Sequence, residues 1–203
     1  MGGQIAVASL WRMSDFDGTR VGARALTDGF AQAYGRFQSA QTGREPTPAF
    51  FALFEALNWA HAVDDVIAKT WSPRGKVEGY GWRSDPALAG AEELPNVMSG
   101  LRYARNRVHH QWADALILEE GRRYPHTSPR MFFSWVWRQA DELPTPPDEG
   151  REAPGREAYT SALAGRKAQA ALAEISRAFT FIGPLLDPPI PVRQPPTVHV
   201  EHA

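Results

Sequence analysis

The sequence predicts an all-α protein: a helical bundle of about four to five helices, with a small β or irregular insertion and an extended proline-rich C-terminal tail. Three observations predict it. Apolar residues recur at i, i+3 and i+4 through the long stretches 21–40, 48–70, 94–118 and 156–182. The best strand-like run, Met131–Trp137, is short and alternates weakly. The closing DPPIPVRQPPTVHVEHA is rich in proline and has no apolar period. With 203 residues, 43% hydrophobic and 11% aromatic, the chain can bury a sizeable core. The expected organisation is one bundle domain over 1–183 and a tail over 184–203.

The elements follow in order. Residues 4–11, QIAVASLW, are a strand or an arm laid across the bundle. Asp15-Phe16-Asp17-Gly18 is a turn. It opens like a calcium loop, but Ala25 and Leu26 stand where the closing Glu belongs, which rejects that reading. Val21–Ala40 is a helix with Leu26, Phe30, Ala33, Tyr34 and Phe37 on its core side. After a loop over Gln41–Pro48, Thr47 suits an N-cap and Pro48 the first helical position. The helix to residue 70 is the most apolar. Phe50, Leu53, Phe54, Leu57 and Ala60 form its main stripe, with Trp59, Ala62 and Val66 on a second side, so it is central.

Residues 71–93 form a long Gly, Pro and Ser-bearing connection. Its Trp71, Tyr80 and Trp82 either cap the core or stack on nucleobases. Leu94–Leu118 reads as one long helix. Val97, Leu101, Ala104, Val108, Trp112 and Ala115 share a face, with Met98 and Leu116 at its edge. Pro95 and Asn96 suit its start, Gly121 and Pro125 its end. Met131–Trp137 is a strand or hairpin element, and 141–155 is a surface loop. Arg156–Ile182 is the last helix, with Tyr159, Leu163, Leu172, Ile175, Phe179 and Ile182 inward and Gly183-Pro184 as its stop.

Polar residues sit where the chemistry should be. The 94–118 stretch carries Arg102, Arg105, Asn106, Arg107, His109 and His110. Arg105 lies only about 40° from Leu101 on the wheel, near the edge of the apolar face. A guanidinium cannot lose its charge there, so it needs a carboxylate or an anionic ligand. On the 48–70 helix His61 and Asp64 fall inside the apolar stripe and Asp65 at its edge. Asp64, or failing that Asp65, is therefore expected to pair with Arg105. Whether such a pair fixes helix register or serves catalysis is left open by the spacing. His61 reads as a core histidine.

Composition narrows the function. Basic and acidic residues number 22 and 23, for a net charge of −1. No global field grips nucleic acid, so RNA binding would need a local patch: Arg102–Arg107, with Arg122 and Arg123 nearby. The absence of cysteine removes disulfides, thiolate metal sites and cysteine nucleophiles, and fits a reducing cytoplasm. No apolar run approaches the ~20 residues of a membrane span, and the N-terminus lacks a signal-peptide pattern. A cytoplasmic protein with no membrane partner is expected. No Gly-rich phosphate loop, Ser elbow or dinucleotide fingerprint appears, and no cofactor is expected. His109 and His110 are adjacent and diverge by about 100°, so they cannot share a metal. His110 and Asp114, completed by Asp64 or Asp65, would give a metal-dependent hydrolase. No H-E-x-x-H or E-x-x-H string supports it, and no metal is assigned.

Arg105-Asn106-Arg107-Val108-His109-His110 has the form R-N-x-x-x-H. It resembles the motif of HEPN domains, helical bundles that include metal-independent ribonucleases and toxins of toxin–antitoxin pairs. The resemblance covers the motif helix and, loosely, its pairing with the 48–70 helix. It implies an endoribonuclease with Arg105, Asn106 and His110 as catalytic residues, at a composite site between two copies in a homodimer. His110 would take the 2′-hydroxyl proton or give one to the leaving 5′-oxygen. Arg105 would stabilise charge on the scissile phosphate, Asn106 would orient the phosphate or the histidine, and the product would end in a 2′,3′-cyclic phosphate. Arg102 with His109 also satisfies the family spacing. The polar residue after Arg105 favours the Arg105/His110 register. The implied partners are RNA, a second copy, and an antitoxin or other protein. The alternative is a helical binding module that uses the same face for an anion, nucleotide or protein without catalysis.

Overall fold

A computed structural model describes residues 21–43, 45–70, 79–108, 112–120 and 133–186. The expected arm at 4–11, the turn at 15–18, Trp71, His109, His110, Arg122, Arg123 and the tail from 187 onward lie outside the described residues. Among these residues the chain is a bundle of five α-helices with one two-stranded antiparallel sheet. The order is α1 (Val21–Ala40), α2 (Pro46–Thr70), α3 (Leu94–Arg107), β1 (Leu116–Glu120), β2 (Phe133–Trp137), α4 (Glu149–Ala162) and α5 (Ala168–Leu186). The expected all-α class with a small β insertion is what is observed. No helix here is long and apolar enough to cross a membrane.

Packing follows the apolar stripes. On α1, Leu26, Phe30, Ala33, Tyr34 and Phe37 are all buried, and α1 packs along α2. Phe30 meets Phe179 of α5 edge-on at 4.9 Å. On α2 the fully buried apolar residues are Leu53, Ala56, Leu57, Ala60 and Ile67, whereas Phe54 is 39% exposed. The alanines let α2 lie close to its neighbours, and the stripe is rotated away from the expected Phe50/Phe54 line. Trp112, Trp137 and Tyr159 interlock edge-to-face at one end of the core, with centroids 6.0 and 6.4 Å apart.

Two expected helices are interrupted. The 94–118 stretch is helical only to Arg107; Trp112–Ala115 form a short 3₁₀ helix and Leu116–Glu120 are β1. Trp112, Ala115 and Leu116 are buried as the wheel required, but on a different backbone. β1 pairs with β2 in the register Leu116↔Trp137 and Leu118↔Trp135. Branched and aromatic side chains suit this pleated surface, and a wheel drawn on one segment cannot see a partner strand 15 or so residues away. The expected helix at 156–182 is two helices separated by a turn at Leu163–Arg166.

That turn closes β2 on its second edge. Gly165 donates to the Trp137 carbonyl at 2.9 Å and Trp137 donates to the Arg166 carbonyl at 3.0 Å. Gly165 adopts φ 69°, a left-handed conformation open to glycine at little cost. α4 begins at Glu149, inside the expected 141–155 loop, because Asp148 caps it by accepting from the Arg151 N–H at 3.0 Å. α5 runs through Gly183 and Pro184 to Leu186 and does not stop there.

Candidate functional site

Asp64 is fully buried on α2, beside Val63 and Ile67 of the core. A carboxylate in that position has to be matched by donors. Oδ1 accepts from Arg83 Nε at 2.9 Å and from Trp82 Nε1 at 3.2 Å. Oδ2 accepts from Arg83 Nη2 at 2.5 Å and from Arg102 Nη2 at 2.7 Å. The four acceptor positions of an ionised carboxylate are thereby filled. Arg83 also donates Nη1 to Ser99 Oγ of α3 at 3.1 Å, tying three segments together.

The 71–93 connection is therefore more than a linker. Its 3₁₀ helix, Gly79–Ser84, delivers Trp82 and Arg83 into the interface between α2 and α3. Trp82 is fully buried and cannot stack on a base. Tyr80 is exposed, and its ring lies under the guanidiniums of Arg83 and Arg102, 4.6 and 4.1 Å from their centres.

The expected Asp64–Arg105 pair is not formed. Arg102, one turn earlier on α3, takes Asp64 Oδ2 and reaches Asp65 Oδ1 at 3.1 Å, while Tyr80 Oη accepts from its Nη1 at 2.5 Å. Burial weakens the charged form of Arg102, but the hydrogen bonds and charge of Asp64 outweigh it and raise its pKa. Arg83 supplies the remaining charge from a segment that no helix wheel includes. Arg107 turns the other way, is 7% exposed, and pairs with Glu152 of α4 at 2.6 Å.

Arg105 is left without a carboxylate among the described residues, and its buried Nε has no hydrogen-bond partner there. Asn106 beside it is exposed. His61, on α2, is 3% exposed and lies flat on Trp112, with ring centroids 5.5 Å apart and planes 19° from parallel. Its Nε2 is also buried with no partner among the described residues. Burial, then the charges of Arg105 and Arg102, lower the His61 pKa to about 4 against the opposing pull of Asp64 and Asp65. His61 is therefore a neutral imidazole at pH 7.

The interface between α2 and α3 thus gathers Asp64, Asp65, Arg83, Arg102, His61 and Arg105. Among the described residues, three guanidiniums against two carboxylates leave a formal surplus of one positive charge, and Arg105 is the one without a carboxylate. With its acceptor positions filled by guanidinium and indole donors, Asp64 has none to offer a metal. Among the described residues no three His, Asp or Glu side chains converge to hold one. Asp114 is exposed on the 3₁₀ helix after α3.

Arg83 is the site residue that the sequence did not yield, as is the hydrogen bond from Trp82, singled out there only as a core cap or a base-stacking residue, to Asp64. The available signal was Asp64 itself, whose burial asked for more positive charge than one helix could supply. Comparison with known protein families, with curated proteins and with solved structures finds no match to this chain.

Proposed function

We propose that this face binds phosphate through Arg105 and that the protein is a metal-independent endoribonuclease of the HEPN-like kind. The observation that carries the reading is that Arg105 has no carboxylate among the described residues, set beside Arg83, Arg102 and Arg107, each of which has one. A partly buried, permanent positive charge with no carboxylate among the described residues is what an anionic ligand satisfies. The same contrast separates the two motif registers. Arg102 is committed to Asp64 and Asp65, which leaves Arg105 as the motif arginine without a carboxylate among the described residues and favours the Arg105/His110 register.

In this proposal Arg105 holds the scissile phosphate and steadies the charge that grows on it, with Asn106 orienting the same group. His110 moves the proton of the 2′-hydroxyl or of the leaving 5′-oxygen. Attack of the 2′-oxygen on phosphorus expels the 5′-oxygen, leaving a 2′,3′-cyclic phosphate and a 5′-hydroxyl. A second copy completes the composite site, and an antitoxin-like protein is the partner that would cover it. Asp64, Arg83 and Arg102 act as the scaffold that sets α3 against α2.

The test is cleavage of a mixed RNA by the purified protein in EDTA, beside His110→Ala. Loss of cleavage in the variant, with cyclic-phosphate ends in the wild type, supports the reading. A folded wild type that binds RNA and does not cut it makes the protein a non-catalytic binding module on the same guanidinium. Activity that EDTA removes and added metal restores would overturn the metal-independent mechanism.

A further inference from the structure

A cleft lies away from the Arg105 site, where the start of α3, the end of α4 and the first half of α5 meet. Its α3 wall, at Val97, is about two turns or ~12 Å before Arg105 along the helix. The volume is about 370 Å³, within the range of small-molecule sites. Val97, Ala162 and Ala171 line it with apolar surface, and the alanines leave space that longer side chains would fill.

One charge of this cleft is buried. Ala170, Glu174 and Arg177 follow at i, i+4 and i+7, and so share the face of α5 that lines the cleft. Glu174 is 4% exposed. Its Oε2 accepts from Arg177, whose side chain is 62% exposed. Its Oε1 is buried with no hydrogen-bond partner among the described residues. A carboxylate matched on one oxygen alone is short of a donor, and burial makes that shortage costly. At the mouth stand Glu93 and Arg166, both exposed, with Arg166 Nη1 donating to the Ala162 carbonyl at 3.1 Å. The four charged side chains together are formally neutral.

We propose that this cleft binds a free α-amino acid with an apolar side chain. Its ammonium donates to Glu174 Oε1. Its carboxylate accepts from Arg177, which swings outward on its flexible stem to admit the ligand. The layout of charge selects the class. A neutral set of lining charges favours a neutral ligand, and an anion beside a cation is met by the opposite charges of a zwitterion. Glu174 and Arg177 touch, so the two charges of the ligand must be as close as they are across a single α-carbon. A simple amine would leave Arg177 unmatched, and an ω-amino acid would hold its charges too far apart. The ligand's side chain then covers Val97, Ala162 and Ala171. The site is independent of the proposed phosphate site, and cleavage of RNA or its absence bears on neither the cleft nor its ligand.

The experiment is isothermal titration calorimetry of the full chain with L-leucine and L-phenylalanine. Leucinamide removes the carboxylate, isocaproate the ammonium, and ε-aminocaproate the close spacing. At least one of the two amino acids is expected to bind and to raise the melting temperature. Each of the three analogues should bind at least about tenfold more weakly. Glu174→Gln keeps the shape of the side chain and removes its charge, and should weaken binding by at least about tenfold. Ala170→Leu, on the exposed edge of the cleft, fills the space without entering the core and should abolish binding. No binding of either amino acid, analogues that bind as tightly, or variants that bind like the wild type would each overturn the proposal. Should Glu174→Gln fail to fold, the analogues and Ala170→Leu decide the matter without it.

Discussion

Arg83 grips Asp64 with two parallel hydrogen bonds, Nε to Oδ1 at 2.9 Å and Nη2 to Oδ2 at 2.5 Å, in a pair 7% and 0% exposed. Planar fork against planar carboxylate is the geometry in which a buried ion pair best offsets its desolvation. It joins a residue from a connecting segment to the middle of the central helix. The site's shape depends on that junction.

Asp64→Ala removes the acceptor for two guanidiniums and an indole. Breaking one side of a buried pair leaves uncompensated charge, so the loss of unfolding free energy should be about 3–5 kcal/mol. Urea denaturation measures it. A loss below about 1 kcal/mol would mean that the cluster relaxes into solvent and does not hold α2 against α3.

Arg102 and Arg105 should separate cleanly in the same assay. Arg102→Ala strips a hydrogen bond from Asp64 Oδ2 and a cation from the Tyr80 ring, and should cost about 1–3 kcal/mol. Arg105→Ala breaks no ion pair among the described residues and should change stability by about 0.5 kcal/mol or less. If the two cost the same, Arg105 has an internal partner and the argument for a free charge fails.

The helical class and the stripes of α1, α3 and α5 were legible because burial repeats with the period of the helix. Val97, Leu101, Ala104, Val108 and Trp112 are all buried, as the wheel required. What the wheel could not supply was the backbone after Arg107, since a strand at Leu116–Glu120 depends on a partner elsewhere in the chain. The site was half legible for a related reason. That Asp64 and a nearby arginine needed partners followed from electrostatics alone. That the partners are Arg83 and Arg102 depended on where the 3₁₀ helix at Gly79–Ser84 enters the interface, and local pattern does not encode that. His61 is the core residue that its apolar neighbours suggested, stacked on Trp112, although its Nε2 has no hydrogen-bond partner among the described residues.

The depressed His61 pKa gives a pH dependence of definite sign. The unfolded imidazole takes up its proton near 6.5 and the folded one near 4. Between those values the unfolded state binds more protons, so stability is full above pH 6.5 and falls as pH drops toward 4. The loss attributable to His61 is about 3 kcal/mol across that window. Denaturation at stepped pH should show this loss in the wild type and not in His61→Phe; parallel curves would contradict the assignment.

Gly100 marks a close approach of α3 to α4. A Cβ there would sit 3.0 Å from Tyr159 Cα and 3.1 Å from Leu163 Cδ1. Helical backbone yields less readily than a side-chain tip, so Gly100→Ala should destabilise by about 1–3 kcal/mol despite its better helix propensity. A raised melting temperature would show that α4 has room to move.

The most direct test of the central claim sets Arg105→Ala beside the wild type on one RNA in EDTA, at matched folded fraction, with the fragment ends analysed. A free Arg105 that serves as the phosphate-binding residue predicts cyclic-phosphate fragments from the wild type and none from the variant, whose fold is unchanged. Equal cleavage by both proteins would contradict it, and the charge left over between α2 and α3 would then need another use.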